Sequence, residues 1–299
     1  MSETSGNAAA MRAMAWLNRA TFVRSVVEAA NMPEDSAAEV CFVGRSNAGK
    51  SSAINSIVNH NRLAFVSKLP GRTRELNYFA LGAGRYLVDL PGYGYASAGR
   101  TLRQSWDKLI GQYLQERPQL KTIVLIMDIR HAPTDLDLQM LDFLRLAQRG
   151  VHVLLTKSDK LARGARLQAL QKISVAMRAY GHSMQLFSSL SGDGVAEARL
   201  TLCQILGLDL EATPEAAEQL KLGAQELKDA EARRKTTKEA ARVARTERAT
   251  EVRAPRERTT DSTDRARPDG ARNATRPGSR AAREARKAPR PTTRVRTRK

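Results

Sequence analysis

What the chain has little of narrows the field first. It carries only two cysteines in 299 residues, Cys41 inside an apolar run and Cys203 inside a helical pattern. Two thiols so placed build no disulfide framework, which excludes the small secreted scaffolds and leaves a reducing, cytoplasmic setting as the expectation. Met1 to Ala15 contains no apolar stretch of signal-peptide type, and no hydrophobic run approaches bilayer length, so no membrane association is expected. No repeat of fixed period is visible, which excludes solenoids and propellers. Aromatic residues are scarce throughout and missing from residues 221–299, where large aliphatics are also few. A stretch that poor in apolar surface cannot offset the entropy of ordering, so residues 211–299 are expected to be a disordered tail. Residues 1–14 read as a flexible leader.

Charge of one sign is what the tail does have. Residues 221–299 hold 25 Lys and Arg against 11 Asp and Glu, a surplus of 14, while residues 1–220 carry a surplus of only 5. Its cations are mostly Arg, densest from Arg272 to Lys299. Arg pairs with phosphate in bidentate fashion and stacks on unpaired bases, so the tail's natural partner is a polyanion such as RNA. The alternative role is to keep the protein soluble. The 15–210 segment is long enough to bury one large core.

The stretch Gly44-Arg45-Ser46-Asn47-Ala48-Gly49-Lys50-Ser51 organises that segment. It fits G-x-x-x-x-G-K-[ST], with the apolar run Val40–Val43 before it and a helical pattern, Ile54, Ile57 and Val58, after it. A strand entering a helix through such a loop aims backbone N–H groups and the helix N-terminus at one spot, where phosphate is stabilised. Lys50 would neutralise the β- and γ-phosphates and the Ser51 hydroxyl would ligate Mg²⁺.

Taken in order, Trp16–Ala29 offers an edge strand and a turn without a clean period. Residues 60–75 read as an exposed basic loop. Leu76–Leu81 and Arg85–Leu90, joined by Gly82-Ala83-Gly84, form an antiparallel hairpin. Helices follow over residues 102–116, 135–148, 166–179 and 195–206, alternating with strands at 122–128, 151–155 and 185–187. Strands alternating with helices predict an α/β domain: a mainly parallel, six-stranded sheet with one antiparallel strand and helices on both faces.

In such sheets ligands sit beyond the strand ends, so chemistry is sought there. The hairpin ends in Asp89-Leu90-Pro91-Gly92, where Asp89 can hold Mg²⁺ through water and Gly92 can donate its N–H to a γ-phosphate. Thr156-Lys157-Ser158-Asp159 matches [NT]-K-x-D. Asp159 there accepts the paired N–H groups of guanine that adenine lacks, and the Lys157 stem lies along the base. The last strand ends in Ser188-Ser189-Leu190, where backbone N–H groups can meet guanine O6. Gly71-Arg72-Thr73-Arg74-Glu75 lies in the basic loop, where Thr73 can reach Mg²⁺ only while a γ-phosphate is present. Lys50, Thr73 and Gly92 are the residues expected to act on the transferring phosphate. Together the five elements predict a GTP-binding switch protein with guanine nucleotide as its ligand, and a monomer is the separate expectation. A nucleic-acid-binding module with a degenerate nucleotide site and a P-loop kinase or ATPase are the competing readings. Intact Lys50, Ser51, Asp89 and Asp159 weigh against both.

The spelling Gly44–Ser52, then Pro70-Gly71-Arg72-Thr73, then Asp89-Leu90-Pro91-Gly92-Tyr93-Gly94-Tyr95-Ala96 resembles the EngB (YihA/YsxC) family of bacterial GTPases, and Thr156-Lys157-Ser158-Asp159 and Phe187-Ser188-Ser189 match it too. That resemblance covers residues 15–210 and implies a Ras-like P-loop fold and GTP and GDP binding with Mg²⁺, held directly by Ser51 and Thr73. It also implies a part in large-ribosomal-subunit assembly, with the subunit precursor and its rRNA as partners, and a requirement in cell division and septation. Tyr93 stands where Ras-like enzymes carry a water-orienting Gln. Slow intrinsic hydrolysis is therefore expected, although Tyr93 could equally serve packing. Asn47 occupies the loop position where related GTPases hold K⁺; the other role open to it is tolerance of unusual backbone angles.

Overall fold

Side chains of period two, apolar on both faces, dictate strands buried from either side. Cys41 and Val43 of one strand enter one core, and Val40 and Phe42 enter the other. The computed structural model describes residues 2–64, 75–93, 108–211 and 214–251. Met1–Arg245 form one compact unit, and the second, Thr246–Lys299, lies almost wholly outside the described residues.

Seven strands make one sheet in the order β1-β3-β4-β2-β5-β6-β7. They are β1 (Thr21–Val26), β2 (Ala38–Gly44), β3 (Leu76–Gly82), β4 (Arg85–Asp89), β5 (Leu120–Asp128), β6 (Val151–Thr156) and β7 (His182–Leu186). β3 is antiparallel to β1 and β4, while β4, β2, β5, β6 and β7 pair in parallel. The sheet thus has the single reversed strand that the hairpin predicts, and seven strands rather than six. The seventh is β1, which covers an edge from within the aperiodic Trp16–Ala29 stretch. Parallel pairing puts Gly44, Asp89, Asp128, Thr156 and Leu186 on one edge of the sheet, and that edge is where the site forms.

Helices α1 (Ser2–Leu17), α2 (Lys50–Ile57) and α6 (Val195–Ile205) share one face; α3 (Lys108–Glu116), α4 (Asp135–Leu146) and α5 (Arg163–Met177) share the other. Burying some fifty apolar side chains on two faces is what holds the unit together, at about 25 cal/mol per Å² removed from water. α4 starts on a capping box, with the Thr134 hydroxyl and Asp137 satisfying each other's main-chain N–H groups.

Described helices also occupy both ends of the compact unit. The leader is helix α1, docked through the fully buried Ala13, Trp16 and Leu17 against α6. A single Trp anchors it, too sparse a signal to read as periodicity. The stretch expected to be disordered from 211 carries a helix, α7, over Pro214–Glu251. Its composition explains this: Ala, Glu, Lys, Arg, Leu and Gln are strong helix formers, and Pro214 occupies the first position, where its missing N–H costs nothing. Pairs such as Lys235–Glu231, 2.9 Å apart one turn away, support it without a core. Its first turns also dock, for Leu220 and Leu227 pack on the two cores and Arg19 donates to the Leu220 carbonyl. Residues 252–299 lie outside the described residues.

Candidate functional site

The phosphate loop leaves β2 at Gly44 and enters α2 at Lys50. Gly49 caps α2 at φ 101°, a left-handed conformation that a side chain would strain. Asn47 has φ 65° and an exposed side chain, so the backbone alone gives a reason for Asn there. Lys50 Nζ pairs with Asp89 Oδ1, which brings the phosphate-binding cation and the acidic strand end of β4 to one point. Ser51 follows in the first turn of α2.

The residues expected to read the base are fastened to that loop. Thr156, closing β6, shares its one Oγ1 proton between the Ala48 carbonyl at 2.5 Å and the Met127 carbonyl at 3.0 Å. Lys157, at φ 60°, donates from Nζ to the Asn47 carbonyl at 2.7 Å. Asp159 sits in the 3-10 turn Ser158–Lys160, and its Oδ1 accepts from the Ser188 hydroxyl at 2.7 Å. That bond, with help from Lys160, holds the Asp159 carboxyl below the usual range, so it stays ionised as a paired acceptor. Ser188 is fully buried and also accepts from the Leu190 and Ser191 N–H groups, while Phe187 is buried and Ser189 exposed beside it. Ser158 is buried, and its N–H donates to the Phe187 carbonyl at 3.2 Å, stitching the two base-side loops together.

Leu90 is buried, its N–H on the Phe42 carbonyl; Pro91 and Gly92 follow, with Gly92 exposed. Glu75 leads into β3. Gly71, Arg72, Thr73 and Arg74 lie outside the described residues, as do Gly94, Tyr95 and Ala96.

Sequence reading missed Asp128 and Arg130. Asp128 closes β5 on the same edge, and its carboxylate takes a two-pronged contact from Arg130, at 2.9 and 2.6 Å, and an ion pair from Lys157 at 3.0 Å. Burial pushes the Asp128 carboxyl up, but the bonds from Arg130 and Lys157 outweigh it and hold it well below its ordinary value. Lys157 is therefore fixed between a carbonyl and a carboxylate. The strand-end rule that found Asp89 and Thr156 applies equally at Asp128.

Comparison with known proteins follows the same lines. A family model described as "50S ribosome-binding GTPase" matches residues 39–157. The chain is 49% identical over 201 residues to the "Probable GTP-binding protein EngB" of Dechloromonas aromatica, covering 66% of this chain and 91% of that one. The chain belongs to the EngB family. The EngB protein of Methylobacillus flagellatus is 47% identical over 205 residues, 68% of this chain and 99% of its own length. A crystal structure of a probable GTP-binding protein engB aligns at 21% identity and a TM-score of 0.46, over 57% of this chain and 99% of that one. The fold is that of a P-loop GTPase, and the EngB-type domain is an enzyme of GTP hydrolysis. Among the described residues no helix is long and apolar enough to cross a membrane.

Proposed function

We propose that this chain is a slow, Mg²⁺-dependent GTP switch that acts in assembly of the large ribosomal subunit, and through it in cell division and septation. One observation carries the nucleotide reading: Thr156 and Lys157 bond the carbonyls of Ala48 and Asn47, so the guanine-reading and phosphate-binding loops are one bolted unit. Such a unit grips both ends of a guanine nucleotide at a fixed separation. Lys50 serves the phosphates, Asp159 the base, and Gly92 the γ-phosphate. Thr73, with Gly71, Arg72 and Arg74 around it, supplies the part that depends on that phosphate.

The donor set fits Mg²⁺. Among the described residues no cluster of three His, Cys, Asp or Glu exists to cage a metal, and the oxygens present are the Ser51 hydroxyl and the Asp89 carboxylate beside Lys50. Mg²⁺ favours such sparse sites because it keeps waters and takes the remaining ligands from substrate phosphates. Thr73 and Ser51 would hold it directly and Asp89 through water; when bound it neutralises charge on the β- and γ-oxygens. Asn47 is the proposed K⁺ position. Equal hydrolysis in K⁺ and Na⁺ at matched ionic strength would leave its backbone angle as its whole role.

The ribosomal reading rests on the family and on the basic 252–299 segment, which holds 16 Lys and Arg against 5 Asp and Glu. It is tested by sedimenting tagged protein with 50S precursors in GTP, in GDP and without nucleotide. GTP-dependent co-sedimentation is expected, and none in any condition rejects the assignment.

A further inference from the structure

Tyr93 points into the core of the domain. Its ring is 1% exposed and its hydroxyl donates to Asp137 Oδ1 at 2.7 Å. Asp137, 3% exposed in the first turn of α4, takes the Thr134 N–H at 2.9 Å and the Thr134 hydroxyl at 2.8 Å on its other oxygen. The main chain of Tyr93 is held from the opposite side. Its N–H donates to the Gly44 carbonyl at 3.2 Å, and its carbonyl accepts from the Ser46 N–H at 3.0 Å. Tyr93 therefore spans from the phosphate loop to the N-terminus of α4. Gly92, its neighbour, lies so close that a Cβ would come within 3.4 Å of the Gly44 carbonyl and Ser46.

A carboxylate and a phenol this buried are costly unless each satisfies the other. Losing either partner strands the other and frees the loop it holds. Burial, with the adjacent Asp137 charge, also pushes the Tyr93 phenol well above its ordinary value. The side chain that replaces the water-orienting Gln is thus committed to structure, and the structure it maintains is the main chain at Gly92.

The geometry points to Asp137 as a positioning residue for γ-phosphate recognition: through the Tyr93 hydroxyl it sets Gly92 against the phosphate loop, where the Gly92 N–H tells GTP from GDP. This rests on the GTPase reading above. No sequence motif marks it, since Asp137 lies 44 residues from Tyr93.

The test measures binding of fluorescent GDP and a non-hydrolysable GTP analogue, with Tm, for full-length wild type, Tyr93→Phe, Asp137→Asn and the double variant. Tyr93→Phe keeps the ring and loses the hydroxyl. It should weaken the GTP analogue about tenfold, the equivalent of roughly one buried hydrogen bond. GDP affinity should stay within about twofold, because GDP makes no use of Gly92. Asp137→Asn retains an oxygen acceptor and should fall between wild type and Tyr93→Phe. The double variant should match Tyr93→Phe, since one interaction can be lost only once. Equal loss of both nucleotides in step with Tm, or an unchanged ratio in Asp137→Asn and Tyr93→Phe alike, overturns the proposal. A wild type that binds neither nucleotide overturns the GTPase reading itself, which separates the two failures.

Discussion

At the scale of single residues, the site is a set of charges each given a neighbour that fixes its state. Asp159, with Oδ1 on the Ser188 hydroxyl and Oδ2 3.4 Å from Lys160 Nζ, is the one proposed to read guanine. Asp159→Asn keeps the Ser188 bond but exchanges a guanine acceptor for a donor. We expect GTP affinity to fall about 10- to 100-fold, from roughly 1–3 kcal/mol per stranded donor, and xanthosine triphosphate to become the better ligand. Competition binding reads both, and a variant that binds GTP like wild type would show that Asp159 does not read the base. His152 gives a pH signature of a different kind. It is 4% exposed in β6, with ring nitrogens 2.8 Å from Ser183 Oγ and 3.1 Å from Gln185 Oε1. Burial lowers its pKa below the ordinary value near 6.5. Below about pH 6.5 the unfolded chain binds a proton that the folded one refuses, so this stability is present above that pH and lost as pH falls through it. His182 shifts in the same direction. Tm should drop between pH 7.5 and 5.5, less steeply in His152→Gln. Identical slopes would remove His152 as the cause.

At the scale of elements, the β3–β4 hairpin is the meeting point of both ends of the compact unit. Its turn meets α7, where a Cβ on Gly82 would lie 2.6 Å from the Gly223 carbonyl oxygen, and the Gly82 φ of 91° is itself a glycine conformation. Glu226 Oε2 accepts from the Ala83 N–H at 2.6 Å, and the Trp16 ring covers Gly223 from α1. Gly82→Ala therefore meets two obstacles at once. It should cost about 1–3 kcal/mol, undock the start of α7 and raise hydrogen exchange over residues 214–227. Nucleotide affinity should hold, because the turn lies at the end of the strands away from the phosphate loop. Unaltered exchange in α7 would mean that the helix does not depend on this contact.

At the scale of the whole molecule, charge is separated from catalysis. Every nucleotide motif precedes residue 190, and the surplus of basic charge follows residue 220. Stopping the chain after residue 251 removes 16 Lys and Arg but keeps α7, whereas stopping it after 212 removes α7 too. Both truncations should bind GTP as the full chain does. Binding to rRNA or precursor particles should weaken in the first, with a shallower dependence of log affinity on log salt, because fewer counterions are released. Equal binding by full-length and truncated proteins across a salt titration would leave the tail as a solubilising segment only.

The sequence by itself determined the alternation of strands and helices through the central domain, the single reversed strand and the motifs of a P-loop GTPase. These depend on local spacing: a loop between a strand and a helix, a Gly-rich turn, four residues at a strand end. Asp128 shares the strand-end position, but its pairing with Lys157, like that of Asp137 with Tyr93, has no local mark; folding brings these partners together. Only tertiary structure decided that Tyr93 turns inward, since the same Tyr could have faced the nucleotide until Asp137 was seen to hold its hydroxyl. The termini followed the same rule. Trp16 and Gly223 find apolar and backbone partners more than sixty residues away, and burial against a distant surface is invisible to any window of sequence.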